Sequence, residues 1–166
     1  MSLSTNLLDA LSPKNRIFVA FSGGLDSTAL LFLCNKALKQ KKISNLKAIH
    51  INHNLSKNSD NWQQHCESFC RSNNIKFESF IVEVSKNRSS IESQARQARY
   101  KIFESLLDEN DQILLAHHRD DVFETILLRL FRGTGVDGLS GLNEKRSLGK
   151  GEIILSLIHI SEPTRH

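Results

Sequence analysis

The sequence predicts an α/β protein: an open parallel sheet with helices on both faces. Three observations predict it. Apolar runs of strand length alternate with segments of helical period from residue 16 to residue 132, the pattern of repeated strand–helix–strand units. The first run, "RIFVAF" (16–21), is apolar after its arginine, as expected of a strand covered on both faces. The connections are short, and right-handed crossovers then place helices on both sides of the sheet.

The elements follow in order. Residues 4–11 read as a short amphipathic helix that stops before Pro13, because a residue ahead of proline disfavours helix. After the first strand, residues 26–40 carry Ala29, Leu30, Leu33, Ala37 and Leu38 on one helical stripe, with lysines at the end that suit the helix dipole. "LKAIHI" (46–51) is a second strand. Residues 59–74 read as a helix that Ser59 or Asp60 can cap and that Asn73–Asn74 ends. "IKFESFIV" (75–82) is a third strand. Residues 89–110 form a long helix with Ile91, Ala95, Ala98, Ile102 and Leu106 on one side and a Ser89/Glu92 capping box. "QILLA" (112–116) is a fourth strand, and residues 120–132 a helix opened by acids. A loop with four glycines, 133–142, comes next.

The totals set the bounds. A chain of 166 residues suits one domain with a real core. Its 39% apolar and 24% charged residues are ordinary for a globular protein. A net charge of +4 permits a polyanionic partner, and an ordinary solvated basic surface accounts for it equally well. The first ten residues lack the basic start and apolar core of an export signal. No apolar run approaches the roughly 18 residues of a membrane span, so no membrane partner is expected. Cys34, Cys66 and Cys70 are odd in number, which fits a reduced, cytoplasmic setting. Cys66 and Cys70 can share a metal, but no Cys-x-x-Cys or histidine pattern accompanies them, and buried small apolar residues are the better reading. There is no internal repeat.

In an open parallel sheet, ligands sit at the carboxyl ends of the strands. That rule gathers residues 22–27, 52–58, 117–121 and 133–141. The first of these follows the opening strand in "VAFSGGLDSTALL" (19–31). Ser22, Gly23 and Gly24 let main-chain amides approach an anion with no Cβ in the way, and the next helix adds its positive end. The common nucleotide loop has a lysine here for the β and γ phosphates; this one has Asp26. A carboxylate beside phosphates makes sense mainly with Mg²⁺ between them. It can also orient an amine. Such a loop suits holding pyrophosphate while the α-phosphate of ATP is attacked. A plain glycine turn with an aspartate helix cap is the bland alternative.

"SGGLDS" (22–27) is the signature of the PP-loop ATP pyrophosphatases, whose adenine-nucleotide α-hydrolase-like sheet matches the predicted fold. "HINHNL" (50–55), "ESQARQARY" (92–100), "LAHHRDDVFET" (115–125) and "RGTGVDGLSGL" (132–142) follow it in order. Together they resemble the tRNA(Ile)-lysidine synthase family over about residues 14–155. The resemblance implies a two-step reaction. ATP adenylates the C2 oxygen of the wobble cytidine of tRNA(Ile), releasing pyrophosphate, and free L-lysine then displaces AMP.

The resemblance assigns ATP to Ser22, Gly23, Gly24, Leu25, Asp26 and Ser27, with Mg²⁺ on Asp26. His50, Asn52 and His53 stand where adenosine is expected, although histidines at a strand end are often structural. Arg96 and Arg99, three apart, share a helix face beside Tyr100; the match favours phosphate or tRNA over a solvated face. His117, His118, Asp121 and Glu124 are assigned to substrate positioning and the lysine amine. The adjacent histidines lack the i,i+4 spacing of a zinc pair. Arg129 and Arg132 can meet tRNA phosphates or simply complement a helix end.

Two positions depart from the family pattern: Ser56 where arginine is common, and Val122 where glutamine is. After "GEIIL", residues 156–166 ("SLIHISEPTRH") show no period and resemble translated vector sequence. Residues 1–155 thus read as an incomplete ATP-binding catalytic domain and 156–166 as a non-native tail. Two rivals stand beside the lysidine reading. One is another PP-loop enzyme such as a tRNA thiolase, a class that uses catalytic cysteines and that a low-pKa thiol near residues 22–27 would favour. The other is a non-catalytic nucleotide- or tRNA-binding module. No cysteine-type glutaminase segment suggests an amidotransferase.

Overall fold

The structure is a computed structural model that describes residues 11–56, 58–83, 91–117 and 143–157. Its elements are β1 (Ile17–Ala20), α1 (Leu25–Lys39), β2 (Leu46–Asn52), α2 (Ser59–Ser72), β3 (Lys76–Ile81), α3 (Ile91–Leu106), β4 (Gln112–His117), β5 (Asn143–Leu148) and β6 (Gly151–Leu157). The six strands form one sheet in the order β3-β2-β1-β4-β6-β5. All neighbours are parallel except β5 and β6, which form an antiparallel hairpin. The expected parallel α/β sheet is therefore present, with one antiparallel strand added at its edge.

Strand periodicity divides the core. Ile17, Val19 and Phe21 on β1 and its exit join Leu114 and Ile154 beneath α1 and α2, where Leu30, Leu31, Cys34, Cys66 and Cys70 are buried. The intervening residues, Phe18 with Ile113, Leu115 and Ile153, face Phe103 and Leu107 on the opposite side. Successive strand side chains point to opposite faces, so helices cover both faces, as expected. β1 ends buried on both sides, which explains its unbroken apolar run.

The boundaries show what local pattern missed. α3 ends at Leu106, because Asp108–Asp111 form a turn in which the Asp111 carboxylate accepts from the Asp108 amide (2.8 Å) and Asn110 adopts φ +68°. Arg16 binds the same carboxylate, through its Nε at 2.9 Å and again through Nη2, and so ties the start of β1 to the start of β4. The expected α3 stripe is rotated. Phe103 is the helix's buried residue, while Ile91 is exposed and Ala95, Ala98, Ile102 and Leu106 are half-buried. α2 is preceded by Asn58 with no side-chain cap; Ser59 instead bonds back to the Ser56 carbonyl. The hairpin pairs as far as Asn143 with Ser156, and β4 as far as His117 with Leu157, so pairing runs two residues past position 155. The helices expected at 4–11 and 120–132, Ser89 of the capping box, and the glycine loop lie outside the described residues, save Leu11, which is buried in the core.

Candidate functional site

β1 has β2 on one side and β4 on the other. The chain runs outward from β1 through β2 to β3, then returns to the far side of β1. That reversal opens a crevice at the carboxyl ends of β1 and β4. The turn leaving β1 lies there. Gly23 has φ +82°, a conformation suited to glycine, whereas Gly24 has an ordinary φ of −73°. Gly24 precedes α1, and no side chain caps the helix. Instead the first-turn hydroxyls bond backward: Ser27 Oγ and Thr28 Oγ1 donate to the Gly24 carbonyl at 3.1 and 2.8 Å. Ser22 Oγ lies 3.0 Å from Ser27 Oγ and accepts from the Gly24 amide at 3.3 Å. The turn is thus closed on itself, with the positive end of α1 toward it. Asp26 is half-buried in the first turn, and Leu25 beside it is 74% exposed.

The turn also rests on α2. Trp62 Nε1 donates to the Ser22 carbonyl at 2.6 Å. A Cβ on Gly23 would lie 2.7 Å from Cys66 Sγ and 3.1–3.2 Å from the Trp62 indole. Neither residue belongs to the sequence motifs. Trp62 is the chain's only tryptophan, and its i,i+4 spacing to Cys66 was the one available signal.

At the end of β2 the expected ligand groups are largely occupied. His50 is buried, and its ring Nδ1–H donates to the Phe21 carbonyl at 2.8 Å. Asn52 donates to Gln63 Oε1 at 3.0 Å and Asp60 Oδ1 at 3.3 Å, and its own oxygen accepts from the Asn54 amide at 2.9 Å. Its amide therefore anchors the loop after β2 to α2. His53 differs. Its buried Nδ1 has no hydrogen-bond partner among the described residues. Burial, and then the nearby Arg99 cation, hold its pKa below the usual histidine value.

Arg96, Arg99 and Tyr100 bring α3 to the same place. The Arg96 guanidinium lies 5.3 Å from the Tyr100 ring centroid. Arg146 of β5 lies at the same distance and donates to the Tyr100 hydroxyl at 2.9 Å. The sequence motifs did not single out Arg146. The ends of β1, β2 and β4, with α2 and α3, enclose a cleft of about 580 Å³, within the range of small-molecule sites. Ser22, Ser27, His50, Asn52, His53, Trp62, Arg96 and Arg99 line it. Gly23, Gly24, Leu25 and Asp26 share its turn without being among the lining residues.

The PP-loop domain family matches residues 2–163. This chain belongs to the PP-loop domain family. It is 45% identical to the tRNA(Ile)-lysidine synthase of Legionella pneumophila strain Lens over 151 residues, 91% of this chain and 34% of that one. It is 43% identical to that of Pseudomonas syringae pv. tomato over 162 residues (96% and 36%) and 41% identical to that of Coxiella burnetii over 155 (93% and 34%). The chain spans about a third of the length of the curated relatives it matches. Among solved structures, the U34-tRNA thiolase of Methanococcus maripaludis, with its [4Fe-4S] cluster, superposes with a TM-score of 0.65 at 21% identity. It covers 92% of this chain and 55% of that one, a likeness of fold.

Of the expected site residues, the PP-loop domain gathers Ser22, Ser27, His50, Asn52, His53, Arg96 and Arg99 around one cleft. His117 ends β4. His118, Asp121, Glu124, Arg129 and Arg132 lie outside the described residues, as does Val122. Ser56 is on the cleft wall. The cysteines are free and buried, as read from sequence. Burial pushes their thiols up, to about 12 for Cys34, about 11 for Cys66 and about 12 for Cys70. Cys66 does approach the loop, but as a neutral thiol packed beneath Gly23, not as a thiolate nucleophile. Among the described residues no three His, Cys, Asp or Glu side chains cluster as a metal site, and no helix is long and apolar enough to cross a membrane.

Proposed function

We propose that this PP-loop domain binds ATP and carries the adenylating half of a tRNA(Ile)-lysidine synthase. The supporting observation is the turn after β1. It is lysine-free, reverses at a glycine with φ +82°, and leads into an uncapped helix end at the sheet's switch point. Pyrophosphate is the group such a turn holds best, through main-chain amides. The adenosine then lies toward the end of β2, where His53 Nδ1 has no partner among the described residues.

Mg²⁺ fits Asp26 by the chemistry of the donors. This ion takes one or two carboxylates and completes its shell with phosphate oxygens and water, so a single carboxylate beside the turn suffices. When bound, the ion neutralises the leaving pyrophosphate. The attacking group is the C2 oxygen of the wobble cytidine, which bonds to the α-phosphorus as the bond to pyrophosphate breaks. The lysine amine then attacks C2, AMP leaves, and the amine loses its proton. Arg96 and Arg99, on the cleft wall, suit tRNA phosphates. His117, His118, Asp121 and Glu124 take the lysine amine in this reading, and Arg129 and Arg132 take further tRNA phosphates. A cytoplasmic location accords with the free thiols.

Calorimetric titration with Mg-ATP tests binding. Pyrophosphate release on adding tRNA(Ile) with a wobble cytidine and lysine tests the chemistry. A chain that binds no ATP overturns the proposal. The thiolase alternative draws on a likeness of fold alone, and the raised thiol pKa values count against it.

A further inference from the structure

The bond from Trp62 to Ser22 lies within the proposed pyrophosphate site but is not part of the loop signature. The peptide between Ser22 and Gly23 is trans, so its C=O and N–H point in opposite directions. Trp62 Nε1 holds that carbonyl at 2.6 Å, toward α2. The Gly23 N–H is thereby aimed away from α2. Gly23 has no Cβ and tolerates either sign of φ, so without a restraint this peptide can flip. A flipped peptide would present its carbonyl oxygen to an anion and repel it.

The packing supports the same role. The indole sits 3.1–3.2 Å from the position of a Gly23 Cβ, and Cys66 Sγ fills the space beneath at 2.7 Å. Trp62 is itself held, stacked on His65 with centroids 5.5 Å apart. It is half exposed and lines the cleft next to Ser22. A large aromatic kept half in water, its N–H spent on a loop carbonyl, contributes little as core.

We infer that Trp62 is a positioning residue for the anion loop: its indole N–H fixes the Ser22–Gly23 peptide so that the Gly23 amide faces the pyrophosphate. This rests on the proposed nucleotide reading. Trp62→Phe keeps the ring and removes the donor. The expected result is Mg-pyrophosphate binding about five- to ten-fold weaker, the size of one net hydrogen bond. Adenosine affinity and the unfolding midpoint should stay the same. Unchanged pyrophosphate affinity, or an equal fall for adenosine, overturns the assignment. The single indole N–H resonance of the wild-type chain gives a test that needs no variant. Coupling to the loop requires it to exchange slowly and to shift when Mg-pyrophosphate is added; a resonance that stays put overturns it. A wild-type chain that binds no pyrophosphate sinks the nucleotide reading itself, whereas wild-type binding that Trp62→Phe leaves intact sinks only the role of Trp62.

Discussion

His50 and Phe21 are joined by a 2.8 Å hydrogen bond from the imidazole Nδ1–H to the main-chain carbonyl. The bond extends the β1–β2 pairing one residue further, beside the main-chain bond from Phe21 N–H to the Ile49 carbonyl at 2.8 Å. In a neutral ring the bond selects the Nδ1–H tautomer. Both residues are buried. His50→Ala strands a buried carbonyl and opens a cavity, so it should cost about 2–4 kcal/mol of stability. Urea unfolding checks this. A variant of normal stability but poor nucleotide affinity would make His50 a ligand contact rather than a latch.

Gly23 and Gly24 should respond oppositely to alanine. At Gly23 the φ of +82° disfavours any side chain, and the new Cβ would meet Cys66 Sγ at 2.7 Å. Backbone strain and overpacking together predict a loss of about 2–4 kcal/mol. Removing the sulfur relieves one of the two causes. Gly23→Ala combined with Cys66→Ala should therefore be less destabilised than the sum of the single changes, a coupling that a double-mutant cycle measures. At Gly24 the φ is ordinary and the nearest atom, Ser22 Oγ, is 3.4 Å away. Gly24→Ala should fold normally and lower pyrophosphate affinity, because its methyl group crowds the approach to the amides.

Asp26 gives a test whose sign depends on the metal. With Mg²⁺ between carboxylate and phosphates, Asp26→Ala should weaken Mg-ATP binding by ten-fold or more, about 1.4 kcal/mol or above. Without Mg²⁺ the carboxylate repels the phosphates, so the same variant should bind metal-free pyrophosphate at least as well as wild type. Parallel titrations with magnesium and with a chelator check the crossover. Equal losses in both would place Asp26 in the structure of the turn, not in metal binding.

The strands and helices on either side of the turn after β1 could be read in the sequence because their burial is periodic. Val19 and Leu114 on one face and Phe18 and Ile113 on the other obey a strict alternation. The hairpin at the far edge could not. β5 reads "NEKRSL", and an edge strand carries charges where a central strand carries apolar residues. Lys145 pairs with Glu152 of β6 at 2.8 Å, a relation that exists only once the two strands are side by side. At the site, the signature located the turn but not its support. Trp62 and Cys66 lie some forty residues along the chain and reach Gly23 only through the packing of α2. His50 and Asn52 were ambiguous for a physical reason. The donors and acceptors that could meet a nucleotide are the same ones that bind Phe21, Gln63 and Asn54.

His53 should make the cleft sensitive to pH. Its folded pKa lies below the ordinary value of 6.5, first through burial and then through the Arg99 and His50 neighbours. A histidine with a lowered folded pKa takes up its proton in the unfolded chain first. Above pH 6.5 both states are neutral, and His53 adds no pH dependence. As pH falls from there toward the folded pKa, the unfolded state binds more protons and the chain loses stability, with no further loss below that value. A bound polyphosphate offsets the positive field of Arg99 and should shift the His53 titration upward. Proton resonances of the imidazole, followed from pH 8 to pH 5 with and without pyrophosphate, check both statements. A titration at or above the ordinary midpoint in the free chain would show that the ring is neither desolvated nor close to the Arg99 charge. His53→Gln should remove this pH dependence of stability while leaving the fold intact.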